Sequence, residues 1–492
     1  MYDLKPYLTK IEQVIEKGPF KDNWASLSKF RTPEWYQRAK FGIFIHWGIY
    51  SVPSFGSEWY SRNMYIQGSA EFEHHVKTYG PHKKFGYKDF IPMFKAEKFD
   101  PEAWAELFYQ AGARYVVPVA EHHDGFQMYK SEISHWNAAE MGPKRDVLGE
   151  LKQSFEKRGM TVGASSHRVE HWFFMSNGRK FDSDIKEPME RGDFYWPAMP
   201  DPDNHHNLFS EPAPTQEFLE DWLVRCCELI DRYHPKVIYF DWWIEHQAVK
   251  PYLKKFAAYY YNRAIEWGEE VAIDYKQDSF MFGAAVPDVE RGQFADMKPY
   301  FWQTDTAIAR NSWGYTEGND YKPAKGILCD LVDIVSKNGT LLLNVGPKPD
   351  GSIGPEDTAV LKEIGEWMAV NGEAIYDTHV WRKFGEGPTQ IREGQFTDDV
   401  EKVFTSEDIR FTAKGDRLYA TVLSWPEDGN VLIRSLAKPV PSRVPTFQGM
   451  ILDVDILGCD EKPEWKHEEE GLHVSAPSVK TDKPVVIRIR LD

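Results

Sequence analysis

"TQEFLEDWLVRCCELIDRYHPKVIYFDWWIEH" runs from Thr215 to His246. Its first part reads as a long helix, because Leu219, Trp222, Leu223, Cys226 and Ile230 recur at helical spacing and share one face. After His234 and Pro235 the period changes. Val237–Phe240 is a short apolar run of the kind that fills a buried strand, and it breaks off at Asp241 beside Trp242 and Trp243. A helix that feeds such a strand predicts one β/α unit. A carboxylate walled in by aromatic residues needs a partner or a chemical task.

The same alternation extends on both sides, over residues 35–375. "FGIFIHW" (Phe41–Trp47) is a short apolar run that ends in polar residues. "DPEAWAELFYQAG" reads as a helix capped by Asp100, with Pro101 in its first turn, Gly112 at its close, and Trp104, Leu107, Phe108 and Ala111 as its apolar stripe. "RYVVPVAEHHDGF" then reads as strand and loop, "VLGELKQSFEKRG" as helix and "TVGASSHR" as strand. Beyond the opening stretch come a helix over Pro251–Trp267, the strand "VAIDY", the helix "GILCDLVDIVSKNG", the strand "TLLLNVG" and the helix "PEDTAVLKEIGEWMAVNG". Repeated β–α units predict a parallel sheet with helical crossovers: an irregular (β/α)8-like barrel of the TIM type, with an open doubly wound sheet as the alternative. No GxGxxG or phosphate-binding loop supports a nucleotide site.

After about Tyr376 the pattern changes again. "DIRFTAKGDRLYATVLSW", "GNVLIRSL" and "KPVVIRIRLD" are short alternating strands separated by turn signals. The expected organisation is therefore a barrel domain over residues 1–376 and a C-terminal β-sandwich over residues 377–492.

Composition narrows the function. Of the 492 residues, 15% are aromatic, with 18 Trp and 24 Tyr, a load that suits clefts where aromatic faces stack on the C–H faces of sugar rings. The formal charge of −17 repels nucleic acid and anionic membrane, so neither is an expected partner. The four cysteines, Cys226, Cys227, Cys329 and Cys459, form no disulfide framework or CxxC site. The start "MYDLKPYLTK" lacks signal-peptide order, and no apolar run reaches membrane-span length, so the expected location is cytoplasmic.

In a barrel, chemistry gathers at the C-terminal ends of the strands. In chain order those ends offer His46 and Trp47, with Glu58 and Trp59 just beyond; Glu121, His122, His123 and Asp124; His167, Glu170 and His171; Asp241; Asp288, Glu290 and Arg291 in "AAVPDVERGQ", read as a loop; and Trp313 and Tyr315. A histidine at a strand end is more often a structural hydrogen-bonder than a catalyst. Neighbouring residues on a strand point to opposite faces, so His122 and His123 do not readily share one ion, and no metal site is expected. Donors, acceptors and aromatics at one end of a barrel suit a sugar, and two carboxyl groups at separate strand ends suit glycosidic cleavage.

Three longer stretches carry a resemblance. "KFGIFIHWGIYSVPSFGSEWY", "EHHDGFQMYKS" and "LVDIVSKNGTLLLNVGPKPDGSIGPEDTAVLKEIGEWMAVNGEAIYDT" closely resemble the signatures of the α-L-fucosidases of glycoside hydrolase family 29. The resemblance implies an irregular barrel followed by a β-sandwich, no cofactor, a fucoside substrate and frequent homo-oligomers. It implies a retaining exo-acting mechanism with Asp241 as nucleophile and Glu290 as acid/base, Asp288 being the second candidate for that role. His46, Glu58, Trp59, His122 and His123 match fucose-binding positions, and Trp313 matches an aromatic that closes the pocket or its outer subsite. Tyr239 stands where relatives often carry Trp, His167 where many carry Tyr, and Lys276 where relatives often place Arg. The alternatives are a related retaining glycosidase on L-galactose-type sugars, a metal-dependent hydrolase and a fucose-binding lectin without activity.

Overall fold

Eight parallel strands close on themselves in the computed structural model, which describes residues 2–204, 207–398 and 402–492. They are β1 (Phe41–Ile45), β2 (Tyr115–Glu121), β3, interrupted at Gly163 into Thr161–Val162 and Ala164–Ser166, β4 (Val237–Phe240), β5 (Ala272–Lys276), β6 (Val286–Glu290), β7 (Trp302–Ala307) and β8 (Gly339–Val345). Each pairs with the next. β8 then pairs with β1, Gly42 lying opposite Leu342 and Ile43 opposite Leu343, and this pairing closes the barrel. A closed barrel replaces the open-sheet alternative.

The helices expected from the sequence form, together with an unforeseen one near the N-terminus. They include α1 (Lys5–Lys17), α2 (Pro101–Gln110), α3 (Val147–Lys157), α4 (Gln216–Tyr233), α5 (Lys250–Trp267), α6 (Ala324–Ser336) and α7 (Pro355–Asn371). Asp100 caps α2 by accepting from the backbone N–H groups of Glu102 and Ala103, both at 3.0 Å, a cap worth about 1 kcal/mol. Leu219, Trp222, Leu223, Cys226 and Ile230 of α4 are all buried in the cluster that contains Val237, Ile238 and Phe240 of β4. Each fully buried apolar side chain there contributes about 1.5–3 kcal/mol. All four cysteines are free thiols.

Two barrel strands escaped the sequence reading. The segment around Asp288 and Glu290, expected as a loop, is β6, and β7 carries no strand signal in the sequence. Both carry polar residues inward, because the barrel interior here is an ionic and hydrogen-bonded layer. Lys276 Nζ lies 3.1 Å from Asp288 and 3.2 Å from Asp305, Gln303 donates to Asp288 at 2.9 Å, and the Tyr36 hydroxyl donates to Asp274 at 2.8 Å. Strands that point carboxylates and an amide at each other show neither an apolar run nor the usual alternation.

The C-terminal part holds β9 (His379–Glu386), β10 (Ile409–Lys414), β11 (Arg417–Val422), β12 (Asn430–Ile433), β13 (Ile451–Ile456), β14 (Glu464–His467), β15 (Leu472–Ser475) and β16 (Val485–Leu491). An antiparallel five-stranded sheet in the order β9–β10–β11–β16–β13 faces a three-stranded sheet in the order β12–β15–β14. Phe411, Ile433, Val474 and Ile487 meet in the core between them. The sandwich is tied to the barrel by Arg410, which pairs with Asp333 of α6, and by the Trp367 indole, which donates to the Pro484 carbonyl at 2.8 Å. Among the described residues, no helix is long and apolar enough to cross a membrane.

Candidate active site

Inward-facing residues alternate along each barrel strand, so residues two apart stack in layers along the axis. Tyr239 on β4 and Asp241 just past its end are such a pair, as are Asp288 and Glu290 on β6. The upper layer opens into a cavity of about 270 Å³ at the C-terminal ends of the strands. His46, Glu58, Trp59, His122 and His123 line it from one side of the chain. His167, Tyr239, Asp241, Glu290 and Trp313 complete the expected set, and Trp242, Asp305 and Phe396 join them unforeseen.

Asp241 is held by His167 and lies close to His123. Its Oδ2 lies 3.2 Å from His167 Nδ1 and 3.4 Å from His123 Nε2. His167 Nε2 in turn lies 3.1 Å from the Ser165 hydroxyl. The ring therefore accepts from Ser165 and donates Nδ1–H to the carboxylate. Burial alone would raise the Asp241 pKa, but the hydrogen bond and field of His167, then His123 and Lys276, hold it well below the usual carboxylate range. Burial depresses His123 to about 3, so at neutral pH that ring is uncharged, and the hydrogen bond from His167 and the charge of Lys276 carry the effect.

Glu290 has the opposite environment. Burial first, with Asp241 and Asp305 adding, raises its carboxyl to about 7 against the opposing pull of Lys276 and of the Trp242 indole N–H. Lys276 Nζ lies 3.0 Å from Glu290 Oε2, and the indole of Trp242 donates to the same oxygen. Two carboxyl groups in one cavity are thus pushed apart, one kept ionised and one kept protonated near neutrality. Arg291 does not oppose this. Its guanidinium turns away to donate to the carbonyls of Ala309 and Arg310 at 3.2 and 3.1 Å, and lies 4.5 Å over the Trp313 ring.

The remaining residues present a sugar-sized set of donors and acceptors. Asn344 donates its amide to the Trp313 carbonyl at 2.7 Å, so its oxygen faces His46 Nδ1 at 2.7 Å. That oxygen fixes the proton on Nδ1 and leaves Nε2 of His46 as an acceptor. His122 is held neutral by burial, and its Nδ1 is buried without a hydrogen-bond partner among the described residues. Glu58 Oε2 accepts from the Trp313 N–H at 2.9 Å and the Ser312 hydroxyl at 3.2 Å, which seats the Trp313 loop against the pocket. Tyr239 spends its hydroxyl on Asp305 at 2.8 Å, so the ring is what it offers to the cavity.

Other candidates do different work. Asp288, the second choice for an acid, has a fully buried carboxylate that pairs with Lys276 and does not line the cavity. It sits one layer deeper than Glu290. Lys276 itself is buried beneath the pocket, and not in its wall. Glu121 points outward to Arg225 and Arg168 at 3.0 and 3.3 Å. Asp124 accepts from the Tyr87 hydroxyl at 2.7 Å, and His171 bonds the carbonyls of His123 and Phe194. Ligand atoms of His46, His122 and His167 lie within 4.8 Å of one another, as do those of His123, His167 and Asp241; these are the places in the cavity where an ion could be held. Both sets draw on His167, whose two nitrogens already face Ser165 and Asp241. Asn344 and Trp242 lay inside stretches singled out by sequence, but their roles depend on side-chain directions. Asp305 lies on the unread strand β7, and Phe396 lies far away in sequence, beyond the barrel.

A family model described as alpha-L-fucosidase matches residues 7–373, and one described as the alpha-L-fucosidase C-terminal domain matches residues 402–489. The human tissue alpha-L-fucosidase is 30% identical over 484 residues, covering 96% of this chain and 92% of the relative. The human plasma alpha-L-fucosidase is 30% identical over 476 residues, covering 94% and 89%. Among solved structures, Thermotoga maritima alpha-fucosidase in complex with a mechanism-based inhibitor superposes with a TM-score of 0.74 at 29% identity, covering 96% of this chain and 100% of that one. The same enzyme in complex with fucose gives 0.72 at 30% identity, with the same coverage.

Proposed function

The chain belongs to the α-L-fucosidase family of glycoside hydrolases, and from that premise we propose that it releases terminal α-L-fucose from glycans or glycosides by retaining double displacement, with Asp241 as nucleophile and Glu290 as acid/base. The observation that carries this reading is the split in ionisation: Asp241 is held well below the usual carboxylate range, and Glu290 is raised to about 7 in the same cavity.

In the first step an Asp241 oxygen attacks the anomeric carbon. The bond from that carbon to the leaving oxygen breaks, and the Glu290 proton passes to the departing oxygen. The charge on Glu290 then faces Lys276, 3.0 Å away. In the second step water gives a proton to Glu290 and attacks the same carbon, and the bond to Asp241 breaks. As the leaving carboxylate, Asp241 is stabilised by the His167 N–H, 3.2 Å away. Two displacements on opposite faces restore the starting configuration, and the chemistry requires no cofactor. Neutral His46, His122 and His123 suit sugar hydroxyls, since each imidazole can accept on one nitrogen and donate on the other.

Proton NMR of the first product formed from an aryl α-L-fucoside tests the mechanism before mutarotation blurs it. α-L-Fucose is expected first; β-L-fucose as the initial anomer would mean inversion, and Asp241 would not be a nucleophile.

A further inference from the structure

Beyond β9 the chain leaves the sandwich and returns to the barrel. Residues 394–398 lie along the end of β6 as a strap. Gly394 N–H donates to the Gln293 carbonyl at 3.1 Å, Phe396 N–H to the Glu290 carbonyl at 2.9 Å, and Thr397 N–H to the Arg291 carbonyl at 2.8 Å. The approach is close enough that a Cβ on Gly292 would stand 1.8 Å from the Gly394 carbonyl oxygen. Asp398 anchors the far end, paired with Lys322 and accepting from the Thr306 hydroxyl at 2.6 Å. Between these fixed points Phe396 is held at φ +53°, a left-handed conformation that an aromatic residue seldom adopts.

The result of that strained placement is a ring at the cavity mouth that stays 51% exposed. It stacks on Trp242 with centroids 5.9 Å apart and planes 13° apart, so the two rings make one continuous aromatic face. Trp242 is also the residue whose indole donates to Glu290. An acid must reach the leaving oxygen within about 2.6–3.2 Å. Whatever that oxygen carries therefore departs beside Trp242 and Phe396, outside the histidine-lined part of the cavity.

Resting on the fucosidase reading above, we propose that Trp242 and Phe396 form the leaving-group subsite and that it takes a pyranose ring by its apolar C–H face. The strap from beyond the barrel thus helps select the sugar to which fucose is attached, and its backbone bond to Glu290 couples that selection to the acid.

The test compares two substrates in the wild type and in Phe396→Ala: α-L-fucosyl fluoride, which has no leaving-group ring, and an α-L-fucosyl hexose disaccharide. The expected result is that kcat/KM on the disaccharide falls about tenfold further than on the fluoride, equivalent to ~1.4 kcal/mol of lost contact. Phe396→Tyr, which keeps the ring, should restore the disaccharide rate, and it serves as the reference if the alanine variant folds poorly. Equal losses on both substrates would overturn the subsite, leaving Phe396 a positioning residue for Glu290. No loss on the disaccharide would overturn it too. Failure of the wild type to turn over the fluoride would instead sink the fucosidase reading itself.

Discussion

Lys276 Nζ lies 3.0 Å from the same Glu290 oxygen that accepts the Trp242 indole N–H. Both contacts favour the carboxylate, yet burial and the nearby carboxyls win and set the group at about 7. The proposed acid step needs Glu290 protonated, and its proton is lost as pH rises through that value. As the proposed nucleophile Asp241 must be ionised, and its depressed pKa keeps it so far into the acid range. The rate of kcat/KM on a disaccharide, measured from about pH 3 to about pH 9, should hold through mildly acid pH and fall tenfold per unit above about pH 7. A fall that began near pH 4–5, the range of an ordinary glutamate, would contradict the assignment.

Glu290→Ala should separate substrates by leaving group. General acid help is worth about 10²–10⁴-fold, and the variant should lose that factor on a natural disaccharide while losing far less of the first step on an activated aryl fucoside. Azide, which needs no base, should then rescue turnover and give β-fucosyl azide. Wild-type hydrolysis of the disaccharide by this variant would remove Glu290 from the mechanism.

His167 donates directly to Asp241. Removing it by His167→Phe takes away a charge-assisted hydrogen bond of ~1.5–3 kcal/mol, so kcat should fall by about tenfold to a hundredfold. The sign on the acid limb is fixed: without that donor the Asp241 pKa rises, and activity should disappear at higher pH than in the wild type. His167→Tyr keeps a donor and should recover part of both effects. An unchanged acid limb in His167→Phe would show that the ring only shapes the pocket.

Beneath the pocket, Lys276 is the cation among Asp288, Asp305 and Glu290. Lys276→Met strands buried carboxylates, and breaking such a group from one side costs about 3–5 kcal/mol. The denaturant midpoint should drop accordingly, and adding Asp288→Asn should recover part of the loss. A Lys276→Met variant as stable as the wild type would mean that these carboxyls are all neutral in the folded protein.

The barrel was legible where its strands are apolar. "FGIFI", "YVVPVA", "VIYF" and "TLLLNV" read correctly because they face helices on one side and a crowded core on the other. β6 and β7 did not, since "VPDVE" and "WQTDTA" point Asp288, Glu290, Gln303 and Asp305 at Lys276 across the barrel, and that interaction is not local in sequence. The cavity residues came from strand ends and from a family likeness, and the structure brings that set to one cavity. Phe396 was out of reach. Its position depends on a strap that returns from the sandwich across more than a hundred residues, and a lone exposed Phe carries no periodic signal. Asn344 was similarly hidden, as it sits within an apolar strand and is marked out by its side-chain contacts with Trp313 and His46.

The central claim is that Asp241 forms the covalent bond to fucose. A 2-fluorinated L-fucosyl fluoride tests it most directly, because the ring fluorine slows both steps while the good leaving group still allows the first. Intact mass should rise by one fluorofucosyl unit, and digestion followed by tandem mass spectrometry should locate that unit on Asp241. Accumulation of the adduct on Glu290, Glu170 or any other side chain would contradict the account.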